Sequence, residues 1–163
     1  MRQFVATRCQ ALLDGFDRLG WLAPLVVRLF FGYFWAETGW AKLHNLDGAT
    51  ERFIGWDIPF PAFSAVFSAW AEFLGGVFIM LGLLTRITSF ALIINMVVAI
   101  GFVVIKKVGG FDDFIETDEF IYILIFFWLL MAGPGAVSID TQINKWLGIR
   151  SQRERDAQAA ELA

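Results

Sequence analysis

The sequence predicts an all-α polytopic membrane protein, an antiparallel bundle of four transmembrane helices with short interfacial helices at both ends. Three observations lead to this fold class. Hydrophobic residues make up 58% of the 163 residues and include 18 Phe. The mean hydropathy of the chain is +0.62. Long apolar stretches alternate with short polar ones. A soluble domain of this length has too little interior to bury so much apolar surface, whereas lipid accepts it.

We predict four transmembrane spans, at about residues 21–42, 61–84, 87–105 and 119–132. The second and third are nearly continuous, so they should form a tight antiparallel hairpin. The fourth span is short for a bilayer, and we expect it to borrow a turn from residues 114–118 or to tilt less than its neighbours. Gly133-Pro134-Gly135 ends it. One transmembrane domain, residues 21–135, therefore accounts for most of the chain.

Shorter segments flank this domain on both sides. In residues 1–20 the apolar side chains recur at helical spacing opposite charged ones, which is typical of a helix lying in the membrane interface. Residues 136–149 predict a second interfacial helix, with Asp140 as its N-terminal cap. The charged residues 150–163 predict a disordered cytoplasmic tail.

Basic residues predict the orientation of the spans, because the cytoplasmic side of a membrane protein carries more Lys and Arg. One side has Arg2, Arg8, Arg18, Arg86, Lys145, Arg150, Arg153 and Arg155, and the other has Lys42, Arg52, Lys106 and Lys107. Both termini are therefore predicted to be cytoplasmic.

Several classes of function are disfavoured by composition. The net charge of -3 and the scattered basic residues do not suggest nucleic-acid binding. Cys9 is the only cysteine, so the chain has no internal disulfide, no cysteine-based metal cluster and no dithiol. The spacing of ligand residues suggests no metal site, and we find no nucleotide-binding motif.

Charged residues inside the predicted spans are the candidates for function, because each is costly in lipid unless it faces a partner or water. Glu72, Glu119 and Lys42 are predicted at similar depths on inner faces, so we predict that they form one catalytic polar site that opens toward the outer surface. Arg28, Asn95, Tyr122 and Trp35 are the candidate binding residues around it. The alternative interpretation is that the charges form ion pairs that only fix the register of the helices.

Small residues predict where the helices approach each other. Gly39 in the first span, with Gly75 and Gly76 in the second, would let two backbones come close. Helical periodicity predicts that Arg86 lies on the same face of the second span as Gly76. Trp35, Trp70 and Trp128 lie within spans and leave room for a flat ring such as a quinone head group, although aromatic residues in membranes more often serve packing.

The sequence also resembles a known family. The segments that carry the resemblance are Arg28-Leu29-Phe30-Phe31-Gly32, Gly39-Trp40-Ala41-Lys42, Glu72-Phe73-Leu74-Gly75-Gly76, Leu81-Gly82-Leu83-Leu84-Thr85-Arg86, Glu119 and Gly133-Pro134-Gly135-Ala136-Val137-Ser138-Ile139-Asp140. In this order they resemble the DoxX family of small four-helix bacterial membrane proteins, over about residues 25–147. The resemblance implies a location in the bacterial inner (plasma) membrane. It also implies a polar signature at Arg28, Lys42, Glu72, Arg86, Glu119 and Asp140.

The family takes its name from a subunit of an archaeal thiosulfate:quinone oxidoreductase, and other members look like membrane partners of redox or stress-response proteins. The resemblance therefore implies a membrane subunit or partner of a quinone-linked redox system. Quinone is then the expected cofactor, and the expected partners are the lipid bilayer and either a redox protein or further copies of the chain. Two alternatives stay open: a carrier or channel for a small solute, and a non-catalytic scaffold for a partner protein.

Overall fold

The computed structural model describes residues 2–149, and its side chains are described for residues 8–10 and 12–149. All regular structure in this range is helical, and the predicted tail at residues 150–163 lies outside it. The helices are α1 (Arg2–Leu19), α2 (Leu22–Leu43), α3 (Leu46–Gly55), α4 (Pro61–Leu81), α5 (Thr85–Ala99), a π-helical turn (Ile100–Val104), α6 (Phe111–Ile115), α7 (Asp118–Ala132) and α8 (Ile139–Trp146).

Two stretches of the described chain are long and apolar enough to cross a membrane. They are α4 and the combination of α5 with the π-helical turn, Thr85–Val104. A third candidate exists if α1 and α2 are counted as one span bent by about 40°. The predicted fourth span corresponds to α7, which begins at Asp118 and has 15 residues. It does not borrow a turn from residues 114–118, because the extended backbone of Thr117 separates α7 from α6.

Glycine makes the closest approach between two helices possible. α2 packs most extensively on α4, and a Cβ added at Gly39 or Gly76 would meet backbone atoms of the other helix. Gly75, one residue earlier, faces the side chain of Leu92 in α5 instead. The three glycines therefore lie on buried faces, and this close approach is the packing that small residues allow in membranes.

The α4–α5 hairpin turns within three residues. Gly82 ends α4 in the left-handed conformation, with φ +65°, and Leu84 also has a positive φ before α5 begins. Arg86 consequently belongs to α5, so its predicted place on the stripe of the second span is wrong. Its guanidinium donates to the carbonyl of Met131 near the end of α7, at 3.3 Å.

Arg28 and Asp140 join the hairpin to the segment that follows α7. The buried Arg28 guanidinium donates to the carbonyls of Ile79 and Met80 at the end of α4, and to those of Pro134 and Val137. The Asp140 carboxylate accepts from the backbone N–H groups of Leu84 and Thr85, at 2.7 and 2.9 Å. We call these six backbone contacts the hairpin clamp.

The clamp corrects the predicted role of Asp140. Asp140 caps the N-terminus of α5, which is distant in sequence, and not that of α8. The cap of α8 is Ser138, whose hydroxyl accepts from the N–H of Thr141 at 3.1 Å. The periodicity of a sequence predicts only caps between neighbouring residues. The Asp140 cap was missed because Asp140 lies 56 residues after Leu84 and 55 residues after Thr85.

The opposite end of the bundle is covered by α3, a helix that we did not predict. Asn45 begins it by accepting from the N–H of Gly48 at 3.1 Å. Ala49 and Phe53 on its inner face are buried with Ile58 and with Ala65 of α4. This small cluster brings the segment between α2 and α4 back over the bundle.

Candidate functional site

A cavity of about 280 Å³ lies between α2, α4, α5 and α7, at the end of the bundle that α3 covers. One wall is polar and carries Lys42, Ser68, Glu72 and Asn95. The opposite wall is aromatic. An engineered cavity of roughly 150 Å³ holds a benzene molecule, so this one has room for a substituted six-membered ring.

The carboxylate of Glu72 is the centre of the polar wall. Its Oε1 atom accepts from the Lys42 ammonium at 2.6 Å, from the Asn95 amide at 3.0 Å and from the Ser68 hydroxyl at 3.1 Å. Ser68 also contacts the Asn95 side-chain oxygen at 3.2 Å. α2, α4 and α5 each contribute a donor, so the position of this carboxylate is fixed from three helices.

Two buried polar atoms of the lining residues have no hydrogen-bond partner in the described part of the chain. They are Oε2 of Glu72 and Nε1 of Trp35. Glu72 is 1% exposed and Trp35 is 3% exposed. Leaving such groups unpaired away from water costs roughly 1–3 kcal/mol each. One atom accepts and the other donates, so a molecule in the cavity with both functions could satisfy both.

Aromatic rings form the opposite wall and bridge α2 to α7. The Tyr122 ring lies 5.5 Å from that of Trp35 and 5.6 Å from that of Phe34, centroid to centroid. Phe126 packs beneath, 5.4 Å from Trp35. These separations are those of favourable aromatic pairs, and the rings, tilted or edge-on to one another, form an apolar surface.

Glu119 and Lys107 are the other two charged residues that line the cavity. Glu119 is half-buried at the start of α7 and makes no hydrogen bond or ion pair with the residues that the structure describes. Lys107 is exposed beyond the π-helical turn. With Lys42 and Glu72, the lining carries two cationic and two anionic side chains, so its formal charges cancel.

An exposed ion pair lies near this end of the cavity. The Lys106 ammonium contacts the Asp57 carboxylate at 2.8 Å and so joins the turn before α4 to the end of the π-helical turn. This hydrogen bond, together with the positive charge, holds the pKa of Asp57 below its usual value. Water screens so exposed a pair strongly, and its contribution to stability is small.

The structure brings most of the predicted site residues together. Glu72, Lys42, Asn95, Trp35, Tyr122 and Glu119 all line the cavity. Arg28 does not join them, because its guanidinium belongs to the hairpin clamp. The Asn95 amide donates directly to Glu72, at 3.0 Å.

Sequence reasoning missed three contributions to the site. Ser68 is not among the predicted site residues, although its hydroxyl donates to Glu72 at 3.1 Å. Phe53 and Trp56 reach the lining through α3 and the turn after it. The amphipathic pattern of residues 46–55 is the signal that could have revealed α3. No pattern in the sequence indicates the π-helical turn that precedes Lys107.

Comparisons with known proteins agree with the membrane character of the chain. Residues 23–105 match the sequence model of the DoxX family. An uncharacterized membrane protein of Mycobacterium tuberculosis (strain ATCC 25618 / H37Rv) is 32% identical over 136 residues, which cover 74% of this chain and 81% of that protein. No solved structure matches.

Proposed function

Because the chain belongs to the DoxX family of membrane proteins, we propose that it is a membrane subunit or partner of a quinone-linked redox system and that its cavity binds the quinone head group. We further propose that α2, α4, α5 with the π-helical turn, and α7 form a four-helix bundle across the bacterial plasma membrane. Both termini are then cytoplasmic, and the cavity lies in the outer half. At about 1.5 Å per residue α7 is roughly 22 Å long, and a thinner local bilayer can accommodate such a span.

The two unpartnered atoms of the lining residues Trp35 and Glu72 support this proposal most. The indole N–H of Trp35 can donate to a ring oxygen, and the Glu72 carboxylate can accept from a ring hydroxyl. The rings of Phe34 and Tyr122, tilted by 47° to each other, give a six-membered ring an aromatic surface to pack against. A neutral lining suits a head group without charge.

A bound quinone would supply chemistry in which two electrons and two protons are exchanged. The residues of the chain would orient the ring and handle protons. Lys42, Asn95 and Ser68 hold the Glu72 carboxylate in place through Oε1, which leaves Oε2 for the ligand. Glu119, on the same lining and partly exposed, can exchange a proton with water. We propose that a partner protein exchanges the electrons, since a chain with only Cys9 has no dithiol of its own.

The proposal predicts that quinone accompanies the protein through purification in mild detergent. Lipid extracts of the purified protein should contain quinone in a fixed ratio to protein, measured by absorbance and mass spectrometry. Trp35→Phe should lower this ratio because it removes the unpartnered donor and keeps a ring. Trp70→Phe is the matched control, since Trp70 lies on the exposed face of α4.

Two results would contradict the proposal. One is an extract without quinone from protein that also fails to bind added duroquinone or durohydroquinone saturably. The other is an equal loss of quinone from the Trp35→Phe and Trp70→Phe variants. Solute flux in proteoliposomes, together with the first result, would support a carrier instead.

A further inference from the structure

The hydrogen bonds of the Glu72 carboxylate are strongly asymmetric. The donors from Lys42, Ser68 and Asn95 all contact Oε1, and Oε2 has no donor among the residues that the structure describes. From this asymmetry we infer that the cavity binds a neutral ring with a hydroxyl donor, and so takes the hydroquinone form of its ligand in preference to the quinone form. The inference rests on the proposed function and adds to it the redox form of the ligand that the site selects.

Oε2 of Glu72 determines which group a ligand must present beside it. The contact of 2.6 Å between Lys42 and Glu72 is that of an ion pair, and an ionised carboxylate has only acceptor sites. A molecule beside Oε2 must therefore present an N–H or O–H group. A quinone carbonyl presents an oxygen without a proton, so it would add a repulsive contact and leave Oε2 unsatisfied. A hydroquinone hydroxyl donates instead.

The indole of Trp35 places a different requirement on the ligand. Its Nε1–H is a donor only, so it requires an acceptor on the ligand. Quinone and hydroquinone oxygens can both accept, and this contact does not distinguish the two forms. Trp35 should therefore contribute to affinity, and Glu72 to selectivity.

The net charge of the cavity lining favours an uncharged ligand. The lining carries Lys42 and Lys107 against Glu72 and Glu119, so it offers no net charge to an inorganic anion or to a cation. A charged ligand would also lose its hydration beside the aromatic wall. A neutral phenolic ring needs no opposite charge from the lining and has no charge whose hydration would be lost.

The inference is testable on purified, full-length protein in detergent by anaerobic calorimetric titration. Durohydroquinone should bind at least about tenfold more tightly than duroquinone, as expected for a hydrogen bond to a charged acceptor. Durenol and its methyl ether give the same comparison without redox chemistry, because the ether lacks only the hydroxyl proton. Durenol should bind more tightly by a similar factor.

Two variants separate the contributions of the two wall residues. Glu72→Gln can keep an oxygen toward Lys42 and place an amide N–H where Oε2 stood, so the preference for durohydroquinone should fall to about one or invert. Trp35→Phe should weaken both ligands and leave their ratio unchanged. Glu37→Gln is the control, since Glu37 lies on the exposed face of α2. The comparisons on the wild-type protein stand even if a cavity variant does not fold.

The outcomes distinguish this inference from the proposed function. Duroquinone binding as tightly as durohydroquinone, or durenol binding no better than its ether, would overturn the inference and leave a quinone site in place. Failure of all four compounds to bind would overturn both. If the Glu72→Gln variant kept the preference for durohydroquinone over duroquinone, Glu72 would not be the residue that binds the hydroxyl group.

Discussion

The close approach of α4 to α2 at Gly76 predicts a steep cost for one added methyl group. A Cβ at Gly76 would lie 2.5 Å from the carbonyl oxygen of Gly32 and 2.8 Å from the Cα of Ala36. Both are backbone atoms of α2, so no side-chain rotation can relieve the contact. The substitution Gly76→Ala must therefore move α4 away from α2.

The size of the effect follows from two opposing contributions. Overpacking typically costs 1–3 kcal/mol, and contact with backbone on the facing helix favours the upper end, about 3 kcal/mol. Alanine is roughly 1 kcal/mol better than glycine inside a helix. We therefore expect Gly76→Ala to lower the free energy of unfolding by about 2 kcal/mol, and Gly39→Ala to behave alike.

The neighbouring glycine supplies a matched control. A Cβ at Gly75 would meet only the side chain of Leu92, at 3.0 Å, and that side chain can shift. The overpacking and the gain in helix propensity should nearly cancel, within about 0.5 kcal/mol. Gly101→Ala adds a second control, because nothing lies within 4 Å of its added Cβ.

The assay is unfolding in mixed micelles of mild detergent and SDS, followed by circular dichroism. All four variants carry the same chemical change, so differences among them report the surroundings of each glycine. Equal stability of Gly76→Ala and Gly75→Ala would show that the backbones of α2 and α4 are not in contact at Gly76.

Further predictions use the same unfolding assay or cysteine labelling. Glu72→Leu should cost about 2–3 kcal/mol because it leaves the Lys42 ammonium without its carboxylate, and Glu72→Gln only about 1 kcal/mol; equal costs would contradict this. Asp140→Ala should cost about 2 kcal/mol through the loss of two N–H contacts at α5, whereas the exposed Asp112→Ala should be neutral. In a Cys9→Ser background, cysteines at Asp47 and Asp113 should react with an impermeant reagent in intact cells, and one at Gln152 should not; the reverse pattern would refute the proposed orientation.

The helices were largely predictable from the sequence because apolar length and helical spacing are local properties. The expected start of the second span at residue 61 coincides with the start of α4 at Pro61, a residue favoured in the first turn. The helical stripe that carries Glu72, Gly76 and Ser68 is buried, since small residues mark close approach.

The remaining features depend on contacts between distant segments, which periodicity does not report. Asp140 has the local pattern of a cap for α8, yet its carboxylate accepts from the N–H groups of Leu84 and Thr85 at the start of α5. The charge of Arg28 suggested a binding role, but its position beside the last carbonyls of α4 makes it a hydrogen-bond donor to backbone. The cover that α3 places over the cavity arises from a segment between two predicted spans, for which we predicted no helix.

The hairpin clamp has a consequence for biosynthesis. The ribosome delivers the α4–α5 turn well before Asp140, which follows Leu84 by 56 residues, and Pro134 follows Arg28 by 106. Until residues 134–140 emerge, the first N–H groups of α5 lack the Asp140 carboxylate, and Arg28 lacks two of its four carbonyl acceptors. A nascent chain therefore lacks these contacts at the α4–α5 hairpin until residues 134–140 have been synthesised. Truncation before residue 134 should remove them and weaken the hairpin, whereas truncation after residue 149 leaves the clamp intact.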